Sequence, residues 1–388
     1  MKNRIIFITA VYPPQQSAGA SICKKTVESL EKIVSDVTVV TVNREDKYKA
    51  KIEKNICYLP MNGNPRVEGL KTRLGIKQDY LDRWTKYAMN WVDTHLNISK
   101  DDVIFVATVG EVGTLCLGDY LKTKYQCKLI INFHDPIKHA TMNDLMYDTK
   151  FHVKRDKWEK KYLQHVDLVI TSNERFKKNL VNKYPFLKSK IINWYFGYIE
   201  KNQFIRKKSK NNLKTIIYGG NFGFAQSPEI LAETCKSKDN IKVIFIGDIN
   251  NYKPLFKYKG IKNIEFLQRM EHSQYMKFLV ENADIGFLSL KREYFGACTP
   301  SKIFEYLNLN LPILAALPEG DAKEIINHNQ YGIATDYDKK LLKEAVEKLL
   351  LPENLENISN KILTERDQWS FENQFKYVKN TLSKMCIV

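Results

Sequence analysis

The stretch Ile5-Ile6-Phe7-Ile8 is a continuous apolar run near the start of the chain, and a second β-branched run follows at Val37–Val42. Unbroken runs of this kind are typical of parallel strands that are buried on both faces. Between them, a loop rich in proline and small residues at Tyr12–Ala20 precedes apolar residues at helical spacing, with Ser21 as the predicted cap. The order strand, helix, strand predicts a βαβ unit and therefore a doubly wound α/β sheet.

Further short apolar runs recur along the chain and alternate with segments that are compatible with helices. Strands are predicted at Asp102–Ala107, Lys128–Phe133, Asp167–Thr171, Thr215–Tyr218, Lys242–Ile246, Ile264–Leu267, Asp284–Leu288 and Pro312–Ala316. Helices are predicted over 77–97, over Lys339–Leu350 and over 371–384. We therefore expect two tandem Rossmann-like domains that face each other across a cleft, with ligands at the carboxyl ends of their strands.

The basic, polar stretch 201–214 predicts a linker between these domains. The first domain is accordingly expected at 1–200 and the second at 215–370. The C-terminal helix, 371–388, is predicted to cross back and pack on the first domain.

The composition limits the class of protein and the kind of partner. The chain has 388 residues, 44% of them hydrophobic and 27% charged, which excludes a disordered, collagenous or coiled-coil protein. Its net charge of +17 favours an anionic partner, such as a phosphorylated substrate or an acidic membrane surface. Because no recognised nucleic-acid-binding module occurs, we do not expect nucleic acid to be a partner.

The cysteines and the apolar segments predict a location. Seven cysteines are present, an odd number, and no two are spaced as Cys-x-x-Cys, which argues against a disulfide framework and against a zinc site. Reduced thiols indicate a cytoplasmic protein. No apolar stretch approaches the roughly 20 residues that span a bilayer, so any contact with a membrane is expected to be peripheral.

The segment richest in chemistry is Thr299–Leu307, which reads TPSKIFEYL. Thr299 is predicted to cap a helix whose first residue is Pro300. Lys302 then lies in the first turn, at the positive end of the helix dipole, where an anion such as phosphate is favoured. Glu305, one turn further, can accept hydrogen bonds from two vicinal hydroxyls, such as those of a ribose. This layout suits a nucleotide, whereas an amphipathic helix with a chance Lys/Glu pair is the structural alternative.

Five motifs occur in the order in which the GT-B glycosyltransferases of the large glycosyltransferase family 4, the group 1 glycosyltransferases, carry them. Pro300–Leu307 followed by Pro312–Ala315 resembles that family's donor-nucleotide segment. The other similar motifs are Tyr12-Pro13-Pro14 with Gly19-Ala20, Phe133-His134-Asp135, Tyr218–Gly223, and Gly247-Asp248 with Asn282–Ile285. Each motif is short, but together they extend along most of the chain.

The resemblance implies a role for each matching residue. Five positions are expected beside the donor diphosphate: Gly19, Gly220, Asn221, Ser301 and Lys302. Glu305 matches the glutamate that holds the donor ribose. His134 matches a histidine near the transferred sugar and is the catalytic candidate, in a positioning role rather than as a base. Ala20 and Asp135 match contacts of the acceptor or the sugar.

Two departures from the family pattern concern the donor site. The first of the family's paired glutamates would fall at Ala297, and the loop Asn221–Gln226 carries no Lys or Arg. Positive charge for a diphosphate must then come from Lys302, from Arg292 or Lys291, and from backbone amides. These departures leave open a non-catalytic, glycosyltransferase-like partner subunit.

The resemblance implies a glycosyltransferase that moves a sugar from a UDP- or GDP-sugar to a saccharide or lipid-linked saccharide in cell-surface polysaccharide biosynthesis, with retention of configuration. Domain 1–200 would then face the acceptor and domain 215–370 the donor. A GT-B nucleotide-sugar epimerase or a phosphorylase is the alternative enzyme. No cofactor is expected. The Asp-x-Asp triplet Asp336-Tyr337-Asp338 could suggest a metal site, but it precedes a helix that it is predicted to cap, so no metal is expected either. The protein is expected to be cytoplasmic and peripheral to the inner face of the cell membrane. The oligomeric state is not predicted.

Overall fold

The structure, a computed structural model, describes residues 3–74, 76–137, 150–202 and 213–387. The chain divides into two compact units, of which the first comprises Met1–Tyr195 with Phe375–Val388 and the second Phe196–Gln374. The predicted linker at 201–214 falls mostly outside the described residues, so the predicted domain limits remain predictions.

The first unit is built on an eight-stranded sheet. Its strands are β1 (Arg4–Thr9), β2 (Asp36–Asn43), β3 (Lys51–Glu53), β4 (Ile56–Pro60), β5 (Val103–Thr108), β6 (Lys128–Phe133), β7 (Leu168–Thr171) and β8 (Ile191–Asn193). They lie in the order β3-β4-β2-β1-β5-β6-β7-β8, and β3 runs antiparallel to β4. Its helices are α1 (Ala18–Leu30), α2 (Pro65–Arg73), α3 (Asp82–His95), α4 (Gly113–Tyr125), α5 (Lys150–Leu163) and α6 (Glu174–Lys183).

The second unit is built on a six-stranded parallel sheet. Its strands are β9 (Lys214–Gly219), β10 (Ile241–Ile246), β11 (Ile264–Leu267), β12 (Ile285–Ser289), β13 (Ile313–Ala316) and β14 (Gly332–Thr335), in the order β11-β10-β9-β12-β13-β14. Its helices are α7 (Glu229–Cys235), α8 (His272–Asn282), α9 (Ser301–Asn308), α10 (Asp321–His328), α11 (Lys339–Leu349) and α12 (Pro352–Glu365). The last helix, α13 (Phe371–Lys384), begins in this unit and continues in the first.

Each sheet has a point at which the strand order reverses. In the first unit the chain runs outward from β1 and then returns to β5 on the other side of β1; in the second it runs outward from β9 and returns to β12. Ligands of doubly wound sheets bind beyond the carboxyl ends of the strands at such a point. The predicted α/β class, with two parallel, Rossmann-like sheets, is confirmed.

The central strands are formed by β-branched and aromatic residues, as predicted. The four residues Ile5–Ile8 are completely buried, and the Phe7 ring stacks on Phe105 of β5 at 5.3 Å between centroids. Burial on both faces follows from the helices that cover a parallel sheet. The short strands β3, β4, β8 and β14 were not predicted, because runs of three to five residues carry little periodicity.

Two predicted details of the first unit are wrong. The cap of α1 is Ser17, whose Oγ accepts the N–H of Ala20 at 3.1 Å, so Ser21 lies inside the helix. The helix predicted over 77–97 begins only at Asp82. The turn before it is fixed by the buried carboxylate of Asp79, which accepts the N–H groups of Leu81 and, across the unit, of Gly113.

The C-terminal helix packs with the first unit from Phe375 onward. The Phe375 ring meets Trp194 edge to face, with centroids 5.6 Å apart. Beyond the helix, the Met385 carbonyl accepts a hydrogen bond from Lys128 Nζ at 2.5 Å and the Cys386 carbonyl one from Asn3 Nδ2 at 3.1 Å. These contacts hold the end of the chain within the first unit.

Candidate functional site

Two consecutive glycines, Gly219 and Gly220, lie at the carboxyl end of β9, at the reversal point of the second sheet. A Cβ atom on Gly219 would lie 2.3 Å from the ring of Tyr275, and one on Gly220 would lie 2.7 Å from both Cε and Nζ of Lys302. Gly220 also has a φ of +133°, which favours glycine. The missing side chains thus allow one aromatic ring and one ammonium group to contact the strand end.

The helix α9 begins beside this strand end without a side-chain cap. Pro300 occupies the N-cap position, and its side chain has no atom that could accept a hydrogen bond from the first turn. The prediction that Thr299 caps the helix is therefore wrong, because the helix starts one residue later than expected. The N–H groups of Ser301 and Lys302 lie in the first turn, so the positive end of the helix dipole and the Lys302 ammonium act at one place. An anion is favoured at such a helix start.

Two side chains of the neighbouring helix α8 contact the two functional candidates of α9. His272 Nε2 lies 3.9 Å from Glu305 Oε1, and Lys302 Nζ lies 5.9 Å from the centroid of the Tyr275 ring. His272 and Tyr275 are three residues apart on α8, as Lys302 and Glu305 are on α9. The two residues of α8 therefore lie opposite the two residues of α9, one pair to each turn.

The position of α9 is fixed by its own Tyr306. A Cβ on Gly286 of β12 would lie 2.7 Å from the Tyr306 ring, and the Tyr306 hydroxyl donates to the Phe287 carbonyl at 3.0 Å. Burial raises the pKa of Tyr275 well above its usual value, with further contributions from Tyr306 and Glu305. Both phenols therefore remain neutral, and they hold the helix rather than react.

The loop Asn221–Gln226 is tied to its neighbours at both ends. The Tyr218 hydroxyl donates to the Asn221 carbonyl at 2.8 Å, and Ser289 Oγ donates to the Gln226 carbonyl at 2.6 Å. The Asn221 side chain is exposed beside Gly220. Since the loop has no cation of its own, its contribution to anion binding must come from backbone and amide dipoles.

Of the three cations that were predicted to serve a diphosphate, Lys302 is the one that the structure places against Gly220. Lys291 and Arg292 are exposed, and the Lys291 ammonium lies 5.6 Å from the ring centroid of Tyr337 instead. Ala297, which stands where the family has a glutamate, is buried. The local positive charge at the start of α9 therefore depends on Lys302.

In the first unit, Gly19 lies in the first turn of α1, close to the loop that follows β5. A Cβ on Gly19 would lie 3.2 Å from Val109 Cγ1. Ala20 is completely buried and donates its N–H to Ser17. Gly19 thus brings the start of α1 close to the reversal point of the first sheet, and the predicted contact of Ala20 with a sugar remains a prediction.

His134 follows β6 and is held by its backbone. Its N–H donates to the Thr108 carbonyl at 2.8 Å, and its carbonyl accepts from Ser172 Oγ at 2.7 Å. Burial lowers the pKa of the imidazole to about 3, so the ring is neutral near pH 7 and a poor proton acceptor. This favours a positioning role. Asp135, the next residue, is half-buried.

Glu111, in the loop after β5, is a residue that the sequence analysis missed. Its carboxylate is buried and accepts the Val109 N–H at 2.9 Å and the Thr114 hydroxyl at 3.1 Å. Burial, and secondarily the charge of Asp79, raises the pKa of Glu111 to about 7. The sequence does place a carboxyl group just after a central strand, which could have indicated a functional residue. Its burial, however, cannot be predicted from a loop sequence.

The geometry of the second unit agrees with the comparison of the chain with known families. Residues 200–363 match the family described as glycosyl transferases group 1. The matched residues lie within the second unit. The predicted resemblance to this family is thereby confirmed for that part of the chain, which contains Gly220, Lys302 and Glu305.

Solved structures of glycosyltransferases share the fold over nearly the whole chain. The lipopolysaccharide outer core galactosyltransferase WaaB is 13% identical, with a TM-score of 0.70 and coverage of 98% of this chain and 99% of that one. Anabaena HepE, in complex with UDP and glucose, is 12% identical, with a TM-score of 0.69 and coverage of 98% and 100%. The α,α-trehalose 6-phosphate synthase of Burkholderia multivorans is 10% identical, with a TM-score of 0.71 and coverage of 99% of each chain. These similarities show the GT-B fold; among curated protein sequences, no significant match was found.

Over the described ranges, no helix combines the length and the apolar character needed to cross a bilayer. Within the same residues, no three His, Cys, Asp or Glu side chains group as metal ligands would. The metal independence of the reaction stays a prediction, as do the roles of the individual site residues.

Proposed function

We propose that this chain transfers a sugar from a UDP- or GDP-sugar to a saccharide or lipid-linked saccharide acceptor in cell-surface polysaccharide biosynthesis, with retention of configuration and without a metal. The observation that carries the proposal is the group at the end of β9: the uncapped start of α9, the Lys302 ammonium on Gly220, and Glu305 one turn further. A diphosphate fits the first two and a ribose diol fits the third. HepE, which shares the fold, has been solved with UDP and glucose and with UDP-glucose.

The proposed chemistry depends on the stabilisation of the leaving diphosphate. When the bond between the anomeric carbon and the donor phosphate breaks, negative charge develops on the phosphate. Lys302 and the N–H groups at the start of α9 are preorganised to meet this charge. In water-excluded surroundings such fixed dipoles act more strongly than solvent does. This requirement is the same whichever sugar is transferred.

The acceptor hydroxyl must also lose a proton. The pKa of His134, about 3, lies about four units below neutral pH, so its imidazole takes a proton poorly. We therefore assign the proton to an oxygen of the departing donor phosphate, as retention without a protein nucleophile requires. His134 then positions the sugar by hydrogen bonds.

We also propose that the protein works in the cytoplasm, at the inner face of the cell membrane. The seven free cysteines suit a reducing compartment. The net charge of +17 is attracted to the anionic headgroups of that leaflet. A lipid-linked acceptor would be met at the same surface.

The proposal is tested by a screen of radiolabelled UDP- and GDP-sugars with membrane extracts, in which transfer to lipid and hydrolysis to free sugar are both measured. We expect turnover of one donor class by the wild type, unchanged by EDTA, and a loss of at least about a hundredfold for Lys302→Ala, since one preorganised charge contact is worth that much in an enclosed site. Lys340→Ala is the matched control, because Lys340 is the second residue of α11 as Lys302 is of α9, and it should be fully active.

If no donor is turned over and neither UDP nor GDP raises the melting temperature, the proposed enzyme is wrong, and the non-catalytic partner subunit takes its place. The missing cation in the loop Asn221–Gln226 and the alanine at Ala297 would then mark a lost donor site.

A further inference from the structure

The helix α2 and the turn after it present an apolar stripe to the solvent. Val67, Leu70, Leu74 and Ile76 are between 44% and 69% exposed, although large aliphatic side chains are usually buried. The first three are spaced i, i+3, i+7 and therefore lie on one face. The hydrogen bond from the Leu74 N–H to the Leu70 carbonyl, at 2.9 Å, continues the helical geometry to Leu74.

Among the described side chains of this segment, the buried one is an acid. Glu68 is buried, and its carboxylate is paired with Lys77 at 2.5 Å, with Arg83 at 3.3 Å and with Lys71 at 3.9 Å. An ordinary surface helix turns its apolar side inward and its charges outward. The described side chains of α2 show the reverse, with Glu68 buried and Val67 and Leu70 exposed, which indicates that the apolar face has a partner outside the unit.

The charges around the stripe are almost all positive. Residues 65–77 contain four cations, Arg66, Lys71, Arg73 and Lys77, and one acid, Glu68, which gives a net charge of +3. On the outer side of the segment, the exposed aliphatic side chains therefore lie beside the exposed Arg66 and the partly exposed Lys71. This combination matches an anionic bilayer surface, where aliphatic groups enter the interface and cations meet the headgroups.

We propose that the α2 surface, defined by Val67, Leu70, Leu74 and Ile76, docks the protein on an anionic lipid bilayer. The inference rests on the proposed function for its purpose, since a lipid-linked acceptor lies in such a bilayer, but not for its physical argument. A second copy of the chain is a poorer occupant, because it would bring two surfaces of charge +3 together.

The test is co-flotation of the full-length protein with vesicles of phosphatidylcholine alone or with phosphatidylglycerol. We expect the wild type to bind the anionic vesicles and to be released by high salt. The double variant Leu70→Gln/Leu74→Gln should partition at least about tenfold more weakly, because two aliphatic contacts with the interface are lost. The matched control is Leu341→Gln/Leu363→Gln, which changes two helical leucines of the second unit that are 39% and 53% exposed. It should bind as the wild type does.

Equal binding by the Leu70/Leu74 variant and the wild type would overturn the proposal, and so would a wild type that binds no vesicles or binds neutral ones equally well. Circular dichroism of each variant excludes misfolding as the cause. The melting shift with UDP and GDP, measured on the same variants, separates the two proposals. Vesicle binding without a nucleotide shift contradicts only the proposed function, and a nucleotide shift without vesicle binding contradicts only this inference.

Discussion

The side chain of Lys302 lies on the backbone of Gly220, at a point where a Cβ atom would be only 2.7 Å from its Nζ. This contact joins the start of α9 to the end of β9, two places that are 82 residues apart in the chain. The contact also places the Lys302 ammonium beside the start of the loop Asn221–Gln226, which has no Lys or Arg of its own. The proposed donor site would therefore depend on a glycine as much as on a charge.

A side chain at Gly220 should weaken nucleotide binding. In Gly220→Ala the new Cβ meets the Lys302 side chain, and the φ of +133° adds strain of roughly 1–3 kcal/mol. We expect the affinity for UDP or GDP, whichever binds the wild type, to fall at least about tenfold in calorimetry, equivalent to about 1.4 kcal/mol. Gly260→Ala is the control, because Gly260 has a φ of +82° but nothing within 4 Å of the added Cβ. It should lower the melting temperature without changing the affinity, and equal affinities of all three proteins would contradict the role of Gly220.

The ring of Tyr275, rather than its hydroxyl, should matter for the diphosphate. The ring lies 5.9 Å from the Lys302 ammonium and packs on Gly219. Tyr275→Phe keeps this cation–π contact and should bind nucleotide within about twofold of the wild type, whereas Tyr275→Leu should lose about two- to fivefold, as expected for a contact of 0.5–1 kcal/mol. The loss should be larger for the diphosphate than for the monophosphate of the same nucleoside. A Tyr275→Phe variant as weak as Tyr275→Leu would show that the hydroxyl is the important group.

His272 should act through Glu305. The two side chains are 3.9 Å apart, and that of His272 is 65% exposed, so the contribution of the pair is small. We expect His272→Ala to weaken binding of the nucleoside diphosphate about two- to threefold and to leave its 2′,3′-dideoxy analogue unaffected, because the analogue lacks the hydroxyls that Glu305 would hold. A proportional loss for both ligands would mean that His272 contacts another part of the nucleotide.

Glu111 should make the stability of the protein fall as the pH rises. Its pKa is about 7 in the folded chain, against 4.5 for an ordinary glutamate, so the folded state favours the protonated form. The stabilisation is complete below pH 4.5 and is lost as the pH rises through 7, by an amount on the order of 3 kcal/mol. Glu111→Gln mimics the protonated form and should flatten the dependence between pH 5 and 8, as measured by denaturant unfolding at each pH. If the free energy of unfolding varied with pH in the same way for the wild type and for Glu111→Gln, Glu111 would not be the group responsible.

Much of the fold follows from short-range patterns. The long apolar strands and the capped helix α11 were predicted correctly, and Asp338 Oδ1 accepts the Leu341 N–H at 2.9 Å as expected. The start of α3 was missed, because Asp79 binds N–H groups more than 30 residues away. Contacts of this range leave no trace in local periodicity.

The sequence indicated Lys302 and Glu305 of the candidate site but not the residues of α8 that lie beside them. Lys302 and Glu305 could be found because they stand one turn apart in a recognisable segment. His272 and Tyr275 belong to α8, and their pairing with α9 follows from the strand order β9-β12, not from their own spacing. Glu111 needed burial to become visible, since its loop reads as an ordinary polar connection.

The central claim is that the start of α9 binds the diphosphate while Glu305 binds the ribose. Titration calorimetry of the wild type and of Glu305→Gln with UDP and with GDP tests it most directly. We predict that one nucleotide binds the wild type and that Glu305→Gln weakens it about tenfold or more, as for the loss of charge-assisted hydrogen bonds of 1.5–3 kcal/mol. An affinity unchanged in Glu305→Gln would contradict the account.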